Sequence, residues 1–269
     1  MSRPPVALTI AGSDSSGGAG LQADLKTFEA LGVFGTSAVT LITAQNTVGV
    51  DAIEVLAPRL VVAQARAVFD DLPVAAVKLG ALGNEAVIDA VADLVAAIEP
   101  PLVVDPVMIS KHGHPLLPDA AARRLAERIV PRATVVTPNR HEAAALTGCA
   151  ADTVDGAVEA ARALRAMGPA AVVVTGVPTP DGRVVDVVAT DGGVRRLEVA
   201  RVPGEQLHGS GCTHSAAITA GLAHGRPLDD AIEAARAFTV AALQAAPGLG
   251  RGYGPLGHHA AGRAVDAAR

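Results

Sequence analysis

Val6-Ala7-Leu8-Thr9-Ile10 runs into Ala11-Gly12-Ser13-Asp14-Ser15-Ser16-Gly17-Gly18-Ala19-Gly20, and Leu21, Leu25, Phe28 and Leu31 then recur at helical spacing. The first five residues form a short, mostly apolar run, as in a strand buried on both faces. The glycine- and serine-rich run after it reads as a flexible polar loop. Gly32 closes the helix that follows. Strand, loop and helix in this order make a βα unit, whose loop lies at the strand's carboxyl end, where α/β sheets hold ligands.

The same alternation continues along the chain. Apolar runs predict strands over 36–42, 53–56 (a short edge strand), 74–79, 102–104, 134–137 and 171–175. Helical spacing is found over 21–31, 59–69, 85–98, 120–129, 142–146, 154–167, 211–224 and 228–246. Residues 183–189 and 194–199, split by Asp191-Gly192-Gly193, read as a hairpin. The glycine-rich stretch 248–257 reads as irregular. Strands alternating with helices predict an α/β fold: a mainly parallel central sheet with helices on both faces and a late antiparallel hairpin at one edge. No repeat or linker interrupts the 269 residues, so one domain over 1–269 is expected.

Half of the residues are hydrophobic but only 2% are aromatic, so Val, Ile, Leu and Ala must fill the core. The formal net charge is −5 and basic residues are not clustered, which disfavours nucleic-acid and membrane-surface partners. Scarce aromatics also disfavour base stacking. No apolar run reaches membrane-spanning length, and the short run near Met1 lacks a cleavage-site pattern, so a cytoplasmic location is expected. Cys149 and Cys212 are the only cysteines, too few for a disulfide scaffold. Of 22 basic residues, three are lysines: Lys26, Lys78 and Lys111. Against so strong an arginine bias, a retained lysine draws attention to its position.

Leu207-His208-Gly209-Ser210-Gly211-Cys212-Thr213-His214 carries the strongest chemical signal. Glycines let several N–H groups point one way, and the helix that follows adds unpaired donors and the positive end of its dipole. The result is a nest for an anion, most often phosphate. Neither G-x-x-x-x-G-K-[ST] nor a G-x-G-x-x-G after the first strand is present, so an ordinary phosphate loop or dinucleotide fingerprint is not supported. The loop after Ile10 is equally readable as a solvated turn. Gln45-Asn46 at a strand end is either an amide turn or a reader of a heterocycle's donor and acceptor edge. Asp105 stands at the ligand edge of the sheet or caps a turn. His112 and His114 have no third metal ligand in their loop. A thiol at a helix N-terminus is expected to have a lowered pKa, which would make Cys212 a nucleophile with His208 or His214 as its base, or a member of a phosphoryl-transfer site.

The ordered set of motifs resembles the bacterial hydroxymethylpyrimidine/phosphomethylpyrimidine kinases of thiamin biosynthesis, within the ribokinase-like superfamily. The resemblance runs nearly end to end. It rests on residues 7–28, on Thr43-Ala44-Gln45-Asn46-Thr47, Lys78-Leu79-Gly80-Ala81-Leu82, Val104-Asp105-Pro106-Val107-Met108 and Thr137-Pro138-Asn139 with Glu142, and on His208-Gly209-Ser210-Gly211-Cys212-Thr213. It implies ATP-dependent phosphorylation of an aminopyrimidine alcohol and then of its monophosphate, with Mg²⁺. Gly12, Asp24, Gln45 and Val107 resemble the positions that hold the aminopyrimidine. Gly209, Ser210, Gly211 and Cys212 resemble the anion hole for the phosphoryl group, with Cys212 where sugar kinases of the superfamily carry an aspartate base. Asp105, Asn139 and Glu142 resemble residues around Mg²⁺ and the ATP phosphates, with Asp105 and Glu142 as the metal carboxylates and Thr175 at the nucleotide. A homodimer is also implied.

Three places depart from the family pattern. Thr175-Gly176-Val177-Pro178 stands where Lys-Gly-Gly-His is usual, Lys111-His112-Gly113-His114 where Lys-Ser-Gly-Asp is usual, and Arg140-His141 inside the usual Pro-Asn-Leu-Pro-Glu. Two other readings remain open: a pyridoxal kinase of the same sequence type, and a non-catalytic pyrimidine-binding protein.

Overall fold

The computed structural model describes residues 3–109, 113–202 and 207–267, the side chains of 264–267 excepted. Lys111 and His112 lie outside the described residues. The strands are β1 (Val6–Asp14), β2 (Phe34–Gln45), β3 (Val50–Val55), β4 (Val74–Leu79), β5 (Leu102–Val104), β6 (Val135–Val136), β7 (Ala171–Pro178), β8 (Arg183–Thr190) and β9 (Gly193–Ala200). They form one sheet in the order β3-β2-β1-β4-β5-β6-β7-β8-β9. From β2 through β7 the neighbours are parallel. β8 and β9 continue antiparallel from β7, as the late hairpin predicted. β3 is also antiparallel, on the opposite edge. The turn of 46–49 before it is too short for the crossover that a parallel pair needs.

The helices are α1 (Gly20–Ala30), α2 (Pro58–Phe69), α3 (Glu85–Val95), α4 (Asp119–Arg128), α5 (Arg140–Thr147), α6 (Val154–Arg165), α7 (Ser210–Ala223), α8 (Leu228–Gln244) and α9 (His258–Ala267). Side chains alternate across each strand, so each strand feeds two cores. Leu8, Ile10, Val77, Leu79, Leu102 and Val104 face the layer of α2, α3 and α4. Ala7 and Ala76 face α1 and α7, and Val103 and Val135 face α7 and α8. Small residues set that second layer: a Cβ on Gly221 of α7 would stand 2.9 Å from the Ala231 Cβ of α8. α9 was not legible in the sequence. Its 258–267 stretch is poor in large apolar residues, and it is held by burying His258 and Ala261 against neighbours distant in the chain.

No helix of the described residues is long and apolar enough to cross a membrane. The chain leaves β1 for β2 on one side and later returns to place β4 on the other. That reversal opens a crevice beyond the carboxyl ends of β1 and β4, the place where such sheets bind ligands.

Candidate active site

A cavity of about 1020 Å³ runs along this edge, lined by the carboxyl ends of the parallel strands and the first turn of α7. Gly12, Gln45, Val107, Asp105, Asn139, Glu142, Thr175 and residues 209–212 all line it.

The loop after β1 is not a solvated turn. Asp14, 4% exposed, accepts the Ser16 N–H and Oγ–H (2.8 Å each), the Gly18 N–H (3.1 Å) and the Ala19 N–H (2.9 Å). Burying the carboxylate among four donors fixes the loop's path. Gly20 has φ +57°, and a Cβ there would stand 2.4 Å from the Gly12 carbonyl. Across the crevice, Gln45 ends β2. Its N–H donates to Ser15 Oγ (2.8 Å), and Ser15 Oγ–H donates to its carbonyl (2.6 Å). Thr43 Oγ1–H donates to the Ser13 carbonyl (3.0 Å) and lies 3.3 Å from Gln45 Oε1. These contacts aim the amide into the cavity beside Gly12 and Val107.

Asp24 is placed differently from the sequence expectation. It does not line the cavity. It is wholly buried behind it, where Thr9 Oγ1–H donates to Oδ2 (2.6 Å) and Lys78 Nζ donates to Oδ1 and Oδ2 (2.8 and 2.9 Å). Holding three of its hydrogen bonds there, Asp24 positions Lys78. Lys78 does line the cavity, and its ammonium stands 4.0 Å from Asp105 Oδ2. Burial disfavours that ammonium, but the charges of Asp24, Cys212 and Asp105 together outweigh burial and raise Lys78 above the usual lysine range. The sequence points to Lys78 by its rarity as a lysine and by its place in the Lys78–Leu82 motif, but not to its role.

The nest is formed. Gly209 precedes α7 with φ 88° and no side-chain cap, and a Cβ there would stand 2.0 Å from the Gly18 carbonyl. Only glycine fits both the backbone angle and the space. The first-turn N–H groups of α7 are thus left for a ligand. Cys212 stands half-buried at the nest floor. The Gly20 N–H and the Asp105 carboxylate lie beside its thiol and bear on its proton. Here the sequence expectation is reversed. Burial pushes the thiol up to about 12, and Asp105 adds to this while Lys78 pulls against it. The helix end does not outweigh burial there. Nor is a histidine paired with it among the described contacts. His214 turns to α8, with Nδ1 3.4 Å from Thr239 Oγ1, and the His208 ring fills the space where a Gly18 Cβ would stand.

Two carboxylates complete the site. Asp105 is raised by burial, with Lys78 opposing and Ser215 Oγ–H donating to Oδ2 at 3.2 Å. Glu142 is pushed up to about 8 by burial and by the charge of Asp105. It forms a capping box with Asn139: the Asn139 N–H donates to Oε2 (2.8 Å), and Asn139 Oδ1 accepts the Glu142 N–H (3.0 Å). Thr175 is tied to the Pro138 carbonyl by its N–H (2.9 Å), at a register shift in β7 whose Gly176 N–H donates to Asp186 (2.9 Å). It brings no charge to this end. Among the described residues no group of three or more His, Cys, Asp or Glu is arranged to hold a metal.

Comparison with known proteins follows this geometry. The family model described as phosphomethylpyrimidine kinase matches residues 14–257. A hydroxymethylpyrimidine/phosphomethylpyrimidine kinase of Haemophilus influenzae is 44% identical over 270 residues, covering 98% of this chain and all of that one. One of Rhizobium meliloti is 47% identical over 257 residues, covering 94% and 96%. An ADP complex of Bacillus subtilis pyridoxal kinase superposes with a TM-score of 0.89 at 38% identity, covering 96% of this chain and 98% of that one. With its nest, its carboxylate pair and a match over nearly its whole length, the chain belongs to the phosphomethylpyrimidine kinase family.

Proposed function

We propose that this protein is a kinase that moves the γ-phosphoryl group of ATP to the hydroxymethyl group of 4-amino-5-hydroxymethyl-2-methylpyrimidine, and then phosphorylates the resulting monophosphate to the diphosphate for thiamin diphosphate synthesis. One observation carries the reading: the Gly209–Cys212 nest opens into the same cavity as the Gln45 amide and the Asp105–Glu142 pair.

In the first transfer the alcohol oxygen forms a bond to the γ-phosphorus, the bond from that phosphorus to its bridging oxygen breaks, and the alcohol gives up its proton. Gln45, with Gly12 and Val107, orients the ring. The nest donors meet the charge that builds on the phosphoryl oxygens. Lys78, held cationic by Asp24, adds a fixed positive charge beneath them. Asn139 and Thr175 flank the nucleotide phosphates. Cys212 aligns the alcohol and relays its proton toward Asp105, the carboxylate beside the thiol.

The chemistry of the donor set fits Mg²⁺. Asp105 and Glu142 are hard oxygen donors, and Mg²⁺ is usually held by one or two carboxylates together with substrate phosphates. When bound, the ion would neutralise phosphate charge. Asp105 and Glu142 would hold it, and Glu142 would lose the proton that burial lets it keep.

Pyridoxal phosphorylation is the second reading, favoured by the likeness to the Bacillus subtilis pyridoxal kinase. Steady-state assays with each alcohol and with the pyrimidine monophosphate decide between them. Turnover with both pyrimidines supports the proposal, and turnover with pyridoxal alone overturns it. No ATP turnover with any of these substrates would favour the non-catalytic binding reading. We further propose one kinase domain over 1–269, a cytoplasmic homodimer as the family resemblance implies, and no nucleic-acid or membrane partner. Light scattering on the purified protein tests the assembly.

A further inference from the structure

Thr47 closes the Thr43-Ala44-Gln45-Asn46-Thr47 motif, yet nothing in the reaction uses it. Its position is defined by contacts with a segment more than two hundred residues away. The Thr47 carbonyl accepts the Tyr253 N–H at 2.7 Å. Thr47 Oγ1 accepts the Arg251 N–H at 3.2 Å and the Gly252 N–H at 3.3 Å. A Cβ on Gly252 would stand 2.1 Å from the Thr47 carbonyl, and one on Gly250 would stand 2.3 Å from Thr47 Cγ2. Glycine at both positions is therefore what allows the segment to lie against the turn. One residue further on, the Gly254 carbonyl accepts the His208 N–H at 3.0 Å, and Leu207 bridges Gly254 as a parallel pair. The same segment thus grips the turn that follows Gln45 at one end and the backbone that enters the Gly209 nest at the other.

These two parts of the site come from different elements. Gln45 belongs to the β2–β3 edge of the sheet, while the nest belongs to α7. β3 is an edge strand, and among the described residues Asn46 bonds within the turn of 46–49, to the Val48 and Gly49 N–H groups and the Gly49 carbonyl. We propose that Thr47 is a positioning residue: through its three hydrogen bonds to residues 251–253 it fixes the Gln45 end of the cavity at the correct distance from the Gly209–Cys212 nest. Phosphoryl transfer needs the acceptor oxygen and the phosphorus in near-attack geometry, and a shift of about 1 Å can cost about a hundredfold in rate. Thr47 touches neither reactant. Its effect passes through Gln45, which orients the ring in the reading above, and the inference rests on that reading.

The test compares Thr47→Val with Thr47→Ser. Valine keeps the shape but leaves the Arg251 and Gly252 N–H groups without their acceptor, while serine retains it. We expect kcat/KM for the pyrimidine alcohol to fall about tenfold in Thr47→Val, the scale of the hydrogen bonds lost from this half-buried hydroxyl. KM for ATP should stay within twofold, and Thr47→Ser should recover most of the activity, with rates normalised to folded protein by ADP binding. Equal kcat/KM values for the alcohol in wild type and Thr47→Val overturn the proposal. So does an equal loss in both variants, or a loss seen only in melting temperature. Hydrogen exchange on the unsubstituted protein supplies the same test if Thr47→Val does not fold: the alcohol should slow exchange at residues 251–253, and unchanged exchange overturns the proposal. A wild-type protein that does not turn over the pyrimidine alcohol at all would instead count against the functional reading on which this rests.

Discussion

The Lys78 ammonium donates to both oxygens of Asp24, at 2.8 and 2.9 Å, with neither side chain exposed. The pair puts a compensated positive charge under Asp105 and Cys212. Removing one partner leaves the other charge buried and unpaired, which typically costs about 3–5 kcal/mol. Lys78→Met and Asp24→Leu should each lose stability on that scale in urea unfolding. The double variant should lose clearly less than the two single losses together, because no lone charge remains. It should also be far less active than wild type, since the charge near the nest is gone. Additive losses would show that the pair is not coupled.

His258 links stability to pH. Burial lowers its pKa to about 4, with Lys26 adding to this, and its Nε2 lies 2.9 Å from Thr213 Oγ1 in the first turn of α7. Between about 6.5 and about 4 the unfolded chain takes up a proton at this histidine that the folded chain refuses. Stability is therefore full above about 6.5 and falls as the pH drops, by up to about 3 kcal/mol from this group. His258→Gln cannot take the proton and should show a shallower fall over that range in thermal melts. An identical slope in both proteins would rule this out.

Cys212 should matter unequally to the two transfers. The alcohol must lose a proton. The monophosphate has a second pKa of about 6 and already offers an anionic oxygen at neutral pH. Cys212→Ala should lower the first transfer by about a hundredfold, within the usual range for proton-transfer groups, and the second by much less. Separate single-turnover measurements of each step check this. Equal losses would mean that the thiol only shapes the nest. The thiol pushed up to about 12 also predicts slow alkylation of Cys212 by iodoacetamide at neutral pH in the empty enzyme.

Thr175 leaves the nucleotide end without the usual lysine. Thr175→Lys should lower KM for ATP by about threefold, the worth of one partly exposed charge pair, with kcat nearly unchanged. The gain should shrink in high salt. A KM unchanged at every salt concentration would mean that residue 175 does not reach the phosphates.

Much of this protein is readable along the chain. Apolar runs ending in glycine, and helical spacing after them, locate most of the strands and helices, because both signals are local and periodic. Residues at strand ends face one edge in any parallel sheet, so Gly12, Asp105 and Asn139 fall into one cavity without knowledge of the packing. Other features are decided by partners far away in sequence. Asp24 looks like a ligand contact until Lys78, 54 positions on, is seen to occupy it. Cys212 has the helix end that should lower its pKa, and only the tertiary structure shows that burial wins. The α9 helix and the glycine segment that grips Thr47 carry little periodic signal of their own. They are held by neighbours that folding alone brings within reach. The sequence by itself determined the order of elements and the residues at the cavity. Which of those residues are desolvated, paired or free was decided by the tertiary structure, because burial and charge compensation are properties of the assembled chain.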